Sequence, residues 1–243
     1  MTATVELAPT QDNDLSNAAI PKRVQHWLTS PAQFSLVSGS KERCLLQGYI
    51  AKRFRQEYNA DITEFMPHLV QMICCGKISA AVGFRCASAE RLFVEQYLPA
   101  PIENSLPLRE GSPTRARIVE LGNLVASHRG ASRLLFLTLA NCLRLAGVEW
   151  IVFTATRQVA KIVAKFSCET ADLGPANPAC LGDNAHKWGS YYHTKPRVVA
   201  MHLPTARRQI ETSAMAKAVL HLYKTENELL AESFSRAMLM TDI

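Results

Sequence analysis

Between Arg117 and Ala155 the chain passes from one strand-like run to another through a glycine turn and a helix, and few folds accommodate that order. The run Arg117-Ile-Val-Glu-Leu-Gly-Asn-Leu-Val-Ala126 reads as a central strand, with Gly122 as a bulge or a point of close approach. Ser127-His-Arg-Gly-Ala-Ser132 then turns into an almost wholly apolar helix predicted over 133–146. Gly147 ends that helix, and Glu149-Trp-Ile-Val-Phe-Thr-Ala155 supplies the next strand. Such a βαβ unit belongs in the middle of a sheet, with helices on both sides.

The rest of the chain is arranged around this unit. Ser38-Gly-Ser40 before Lys41-Glu42 marks a helix start, and Cys44, Leu45, Gly48, Tyr49 and Phe54 recur at helical spacing to about Tyr58. Two β-type runs, Leu69 to Cys75 and Ile78 to Cys86, flank Gly76-Lys77 as a hairpin, so that a meander opens the sheet. After a Pro-rich stretch from Pro99 to Pro113 and the βαβ unit come a short helix predicted over 158–166 and a Gly/Pro/Asn loop from Leu173 to Asn184. Further β-like runs follow near Trp188 to His193 and Arg197 to Leu203. Residues 206–240 are rich in Ala, Glu, Leu, Lys and Met and predict one long helix, with Met215, Val219, Leu222, Leu229 and Phe234 along one side. That side is expected to pack on the core or on a second copy in a homodimer. Charged residues interrupt it, which argues against a membrane. The expected fold class is α/β (α+β), a mixed, mostly antiparallel central sheet flanked by helices. Its expected divisions are a loose tail over 1–20, a main domain over 21–205 and a C-terminal helical extension over 206–243.

Composition removes several function classes. With 243 residues, 48% hydrophobic and 20% charged, the chain can bury its own core. No run approaches the roughly 18 apolar residues of a membrane span, and the N-terminus lacks the basic-then-apolar order of a secretory signal, so the expected compartment is the cytoplasm. The seven cysteines are odd in number and scattered without metal-ligand spacing, which favours reduced residues in the core and no metal site. The net charge of +6 comes from dispersed Lys and Arg, with only Lys52, Arg53 and Arg55 clustered. Nucleic acid would need a denser basic stripe with interleaved aromatics. An anionic small ligand or an acidic carrier protein suits this charge better, and a solvated basic face explains it equally simply.

Phe65-Met-Pro67, Ala81-Val-Gly-Phe-Arg85, Leu92-Phe-Val-Glu-Gln-Tyr-Leu98, Val119-Glu-Leu-Gly-Asn-Leu124, Phe153-Thr-Ala-Thr156 and Trp188-Gly-Ser-Tyr-Tyr192 occur in one order. In that order, from about residue 41 to 203, the chain resembles the thermostable hemolysin family. The family is in turn similar to Gcn5-related N-acetyltransferases and acyl-homoserine-lactone synthases. The resemblance implies an acyl-CoA N-acyltransferase-like fold whose strand–turn–helix holds the phosphates of coenzyme A or of an acyl-phosphopantetheine carrier. That carrier or acyl-CoA would be the donor substrate, a small amine the acceptor, and no cofactor would be tightly bound.

The acetyltransferase phosphate loop is Arg/Gln-x-x-Gly-x-Gly/Ala, because unhindered N–H groups at a helix start must approach phosphate closely. Aligned here, Ser127 stands for the Arg or Gln, Gly130 keeps the first glycine and Ser132 replaces the last small residue. His128, Arg129, Gly130, Ala131, Ser132 and Arg133 form the candidate phosphate site, with charge restored by the basic residues. The alternative is a plain helix start with Ser132 as N-cap and solvated arginines. Glu120 lies in an apolar strand, where a carboxylate is costly unless paired or raised in pKa, as a general base is. It resembles the Glu of the synthases' Glu-Leu-Ser-Arg. Here Glu120-Leu-Gly-Asn123 loses their Arg, so the substrate must differ. Arg85, Arg117 or backbone groups satisfy Glu120 if its role is structural.

Glu95 and Tyr97 are candidate substrate residues on the assumption that alternate strand residues share a face. Asn123 either binds substrate or satisfies a bulge. Trp188 and the hydroxyls of Tyr191 and Tyr192 stand where, in such a fold, the last strands approach the thioester sulfur. Either Tyr is a candidate acid for the departing thiolate, and an aromatic cluster packing the sheet is the alternative. Cys180 with His186 or His193 offers a covalent mechanism that lacks an orienting acid. The expected function is acyl transfer from a CoA or acyl-carrier-protein thioester to an amine. The rival is a membrane-active hemolysin or a non-catalytic binding module on a decayed acetyltransferase fold.

Overall fold

The computed structural model describes residues 32–107, 113–164 and 168–240. The tail expected over 1–20, and residues 165–166 of the helix predicted over 158–166, lie outside the described residues. Among them one sheet is built from β1 (Gln33–Val37), β2 (His68–Cys74), β3 (Lys77–Cys86), β4 (Ile118–Ala126), β5 (Trp150–Ala155), β6 (Ala171–Pro175) and β7 (Arg197–His202). The order is β1-β2-β3-β4-β5-β7-β6, with β4 and β5 parallel and every other neighbouring pair antiparallel. This is the mixed, mostly antiparallel sheet the sequence predicts.

Both sheet edges escaped the sequence. β1 precedes the hairpin that was expected to open the sheet, and β6 runs into the start of the stretch read as the Leu173–Asn184 loop. Each is five residues long, half-exposed and tied to one neighbour only, so neither carries a continuous apolar run. The β-like run at Trp188–His193 is also corrected. Residues Pro178–Trp188 and Tyr191–Thr194 form 3-10 turns, because Gly189 takes φ +51° and reverses the chain between them.

Helices cover both faces. α1 (Ser40–Tyr58) buries Leu46, Ile50 and Phe54, spaced four residues apart, and together these contribute on the order of 5–9 kcal/mol of apolar burial. It is joined in its cluster by Leu69 and Ala81 of the sheet. The short α2 (Ile102–Ser105) buries Ile102 beside Ile118 and Trp150. The opposite face, through Val70, Met72, Val82 and Phe84, packs on α3 (Arg129–Leu145). α4 (Arg157–Ala164) follows β5. The single C-terminal helix expected over 206–240 is three helices, α5 (Leu203–Ile210), α6 (Ala214–Leu222) and α7 (Lys224–Met240). Ser213 starts α6 by accepting from the Ala216 N–H at 3.3 Å. Each break resets the helical phase. Val219 and Phe234 are therefore buried, whereas Met215, Leu222 and Leu229, expected on the same side, are exposed. α7 packs on α3, Phe234 lies 4.9 Å from Phe84 between ring centroids, and the Tyr223 hydroxyl accepts from the Ala32 N–H at 3.0 Å.

The seven cysteines differ in burial. Cys86, Cys142 and Cys168 are small core residues as expected, but Cys44, Cys75 and Cys180 are exposed, since helix surface and turn positions interrupt the apolar runs around them.

The opening that matters lies between β4 and β5. Their pairing runs from Ile118↔Trp150 to Leu121↔Phe153 and stops, although β4 continues to Ala126. Just there Asn123 adopts φ +52° and the β3–β4 register shifts, so β4 bulges away. Gly83 and Gly122 pair across these strands beside Met66: a Cβ on Gly83 would stand 2.4 Å from the Met66 Cβ, which cannot swing away, and one on Gly122 would meet the movable Met66 Cε at 2.3 Å.

Candidate active site

Glu120 is 1% exposed on β4, opposite Arg85 of β3. Its Oε2 accepts from the Phe93 N–H at 2.7 Å and its Oε1 from the Val94 N–H at 3.0 Å. Burial pushes its pKa up to about 7, against the lowering pull of these N–H groups and of Arg85. The carboxyl is thus held in place and poised to exchange a proton near neutrality.

The N–H donors are supplied by a 3-10 turn, Phe93–Tyr97, where a strand had been assumed. In a turn of this pitch residues i and i+2 do not share a face. Phe93, Gln96 and Tyr97 line the cavity with Glu120, whereas Glu95 turns away from it. Its Oε2 accepts from Leu92 N–H at 2.6 Å and its Oε1 from Ile102 N–H at 2.9 Å, and Arg115 pairs with it at 2.7 Å while also reaching Glu103. Burial opposes ionisation of Glu95, but Arg115 and the two N–H groups outweigh it and hold the pKa below the usual range. Glu95 therefore fixes the turn that holds Glu120 and does not face the cavity with Tyr97. Arg115, its partner, follows the Pro-rich stretch and carried no sequence signal.

The aromatic motif is pinned to the end of α1. Asp61 N–H donates to the Lys187 carbonyl at 2.7 Å, and Ser190 N–H to the Tyr58 carbonyl at 2.8 Å. At Gly189 a Cβ would stand 2.2 Å from that same carbonyl oxygen. Trp188 and Tyr191 pack edge-on or tilted against Phe54, Tyr58 and Phe93, and Tyr192 against Tyr191, at centroid distances of 5.2–6.3 Å. The Tyr97 and Tyr192 hydroxyls are 2.5 Å apart. Burial raises the pKa of both Tyr97 and Tyr191 well above the ordinary phenol value and that of Tyr192 to about 12, so all three remain protonated donors at neutral pH. Phe54 and Tyr58 are cavity residues that the sequence reading assigned only to helix packing or not at all.

The structure brings Glu120, Tyr97, Asn123, Trp188, Tyr191 and Tyr192 to one cavity of about 360 Å³. Asn123 spends its Oδ1 on the Met66 N–H at 2.8 Å, so at least half of its amide serves the bulge. The cavity runs through the splayed sheet, and its far end is apolar, lined by Leu135, Phe136 and Leu139 of α3 and Phe153 of β5.

His128, Gly130, Ala131, Ser132 and Arg133 are not among the lining residues, and the Arg129 side chain lies outside what the structure describes. α3 starts at Arg129, four residues before the predicted start, because the N-cap is His128 and not Ser132. The His128 Nδ1 accepts from Ala131 N–H at 3.2 Å, and Ser132 N–H returns to the His128 carbonyl at 3.3 Å. Gly130 and Ala131 thus form the first helical turn, and the Arg133 Nε is buried without a partner among the described residues. No hydrogen bond joins Cys180 to His186 or His193. The His186 Nδ1 contacts the Asp183 carbonyl instead.

The sequence model of the family described as "Thermostable hemolysin" matches residues 37–207. No curated protein matches the chain. Among solved structures, the AHL synthase LasI superposes with a TM-score of 0.53 at 10% identity, over 74% of this chain and 94% of that one. TofI in an apo form gives 0.52 at 9% identity, over 76% and 99%. A CoA-dependent acyl-homoserine lactone synthase, BjaI, with SAM and isopentyl-CoA, gives 0.51 at 9%, over 74% and 87%. At these identities the likeness establishes the fold, which is acyl-CoA N-acyltransferase-like.

Proposed function

The chain belongs to the thermostable hemolysin family, and from its cavity we propose that it is a cytoplasmic acyltransferase, moving an acyl group from a CoA or acyl-carrier-protein thioester to the amine of a small acceptor. The observation that carries this reading is Glu120, a buried carboxyl with a pKa of about 7 in a cavity that also holds the paired hydroxyls of Tyr97 and Tyr192. Glu120 takes a proton from the acceptor, and the amine nitrogen attacks the thioester carbonyl carbon. As the C–N bond forms and the C–S bond breaks, Tyr192 gives its proton to the leaving thiolate and recovers one from the newly bonded nitrogen, with Tyr191 packed beside it. Trp188, Tyr97 and Asn123 shape the acceptor's end, and the acyl chain occupies the apolar end under α3. The donor's phosphates lie at the N-terminus of α3, on the N–H groups around Gly130, with Arg133 as counter-charge.

One observation favours a non-catalytic module: the His128 imidazole already occupies the Ala131 N–H that a phosphate would use. Donor binding on the catalytic reading displaces that ring. Thermal unfolding with acyl-CoA and with acylated carrier protein decides between them, since a donor at 100 times its Kd adds about 2.7 kcal/mol. The expected result is a clear rise in Tm with one donor, and in the folded Gly130→Val variant a raised donor KM. No shift with either donor would sink the acyltransferase reading, and an unchanged KM in that variant would remove the phosphate site.

A further inference from the structure

Arg85 narrows what the acceptor can be. It is the direct register partner of Glu120, so the two side chains leave the same face of the sheet with Cβ atoms about 5 Å apart, and both line the cavity. Glu120 spends its oxygens on two backbone N–H groups and forms no ion pair with Arg85. The guanidinium is only lightly committed: its Nε pairs with Glu90 at 3.1 Å, its Nη1 reaches the Arg91 carbonyl at 3.4 Å, and its Nη2 has no hydrogen bond among the described residues. The Arg85 side chain is 21% exposed, so an unoccupied donor there is partly desolvated. Among the described residues the cavity has one other cation, Lys187.

We propose that Arg85 binds a carboxylate of the acceptor, which makes the substrate class amino acids and the product an N-acyl amino acid. An α-amino acid carries its ammonium and carboxylate on adjacent atoms, and the Glu120–Arg85 pair presents the complementary charges side by side. Glu120 accepts one ammonium proton and the freed nitrogen forms the C–N bond; as the C–S bond breaks Tyr192 gives its proton to the thiolate, and the second proton shed by the nitrogen restores the Tyr192 hydroxyl. The carboxylate stays on Arg85 unchanged. A plain amine would leave the Arg85 Nη2 without an acceptor and bring a second cation towards the guanidinium, and a site built for a polar group rejects the analogue lacking it.

This inference rests on the acyltransferase reading, and the test separates the two. L-phenylalanine against phenethylamine, and L-leucine against isoamylamine, are offered to the full chain with decanoyl-CoA, and products are followed by mass spectrometry. The same compounds are used in thermal unfolding without donor. The expected preference for each amino acid is on the order of 100-fold in kcat/KM. Arg85→Met should erase the ratio within each pair by raising the amino acid's KM, and Arg85→Lys should keep part of it. Equal use of both members by the unmodified chain overturns the proposal, as does an unchanged ratio in a folded Arg85→Met. The comparison within the unmodified chain decides even if that variant does not fold. Should no acceptor be acylated, protection by the amino acids alone keeps the Arg85 assignment while acyl transfer falls, and absence of such protection overturns the assignment itself.

Discussion

A carboxyl group that titrates near pH 7 ties catalysis and stability to the same pH window. Folding raises the Glu120 pKa from 4.5 to about 7. Between these values the folded chain keeps a proton that the unfolded chain has released. Its contribution to stability is complete below about 4.5 and is lost as pH rises through 7, while the deprotonated form needed as a base appears over that same rise. The acyl-transfer kcat/KM should therefore climb with a limb centred near pH 7. Glu120→Gln should abolish that limb and lower the rate by roughly 10²–10⁴-fold. A limb that persists in the folded variant assigns the base elsewhere. Glu120 was legible in the sequence because a carboxylate amid Ile118, Val119 and Leu121 has no cheap explanation. Glu95 misled because Leu92-Phe-Val-Glu-Gln-Tyr reads as readily as a strand as it does a 3-10 turn, and the partner that decides its direction, Arg115, lies 20 residues away.

The element that shapes the site most is the turn through Gly189, and it shows why tyrosines mislead. Adjacent Tyr191 and Tyr192 favour a strand by propensity, yet three contacts to the end of α1 fold them into a turn. Gly189→Ala combines a left-handed φ with a contact of 2.2 Å to a backbone oxygen that cannot move without α1. It should destabilise by more than about 2 kcal/mol, lowering Tm by about 4 °C or more. Gly48→Ala, on the exposed surface of α1 with nothing within 4 Å of the new Cβ, should instead stabilise by about 0.5–1 kcal/mol. Equal effects at the two glycines in calorimetry would mean that the turn is not locked to the helix. β3, β4, β5 and β7 were legible because buried strands write apolar runs, while the ends of α3 and the C-terminal helices were not. His128 and Ser213 act there as caps, and a cap is chosen by which N–H groups are left over.

At the scale of the whole molecule, the βαβ unit made the fold class legible, but the cavity depends on where β4 and β5 stop pairing, which no periodicity records. The same scale bears on the family's name. No helix among the described residues is long and apolar enough to cross a membrane. The large exposed apolar side chains Leu45, Leu145, Met215, Leu222, Leu229 and Leu239 are spread over four helices, and on α7 charged Glu232 and Arg236 lie between the two it carries. An interfacial helix needs a continuous apolar face, and α7 turns its own, Leu230, Ala231 and Phe234, into the core. Exposing that face would uncover α3 and Phe84. Purified protein should therefore release no dye from liposomes at catalytic concentrations. An organic extract of cells expressing it should release dye, because an acylated small molecule with a polar head is itself an amphiphile that disrupts bilayers. An extract from cells expressing Glu120→Gln should be inactive, which ties the lysis to the cavity. Leakage caused by the purified chain alone, undiminished in Glu120→Gln, would place the hemolytic activity on the protein surface and remove acyl transfer as its source.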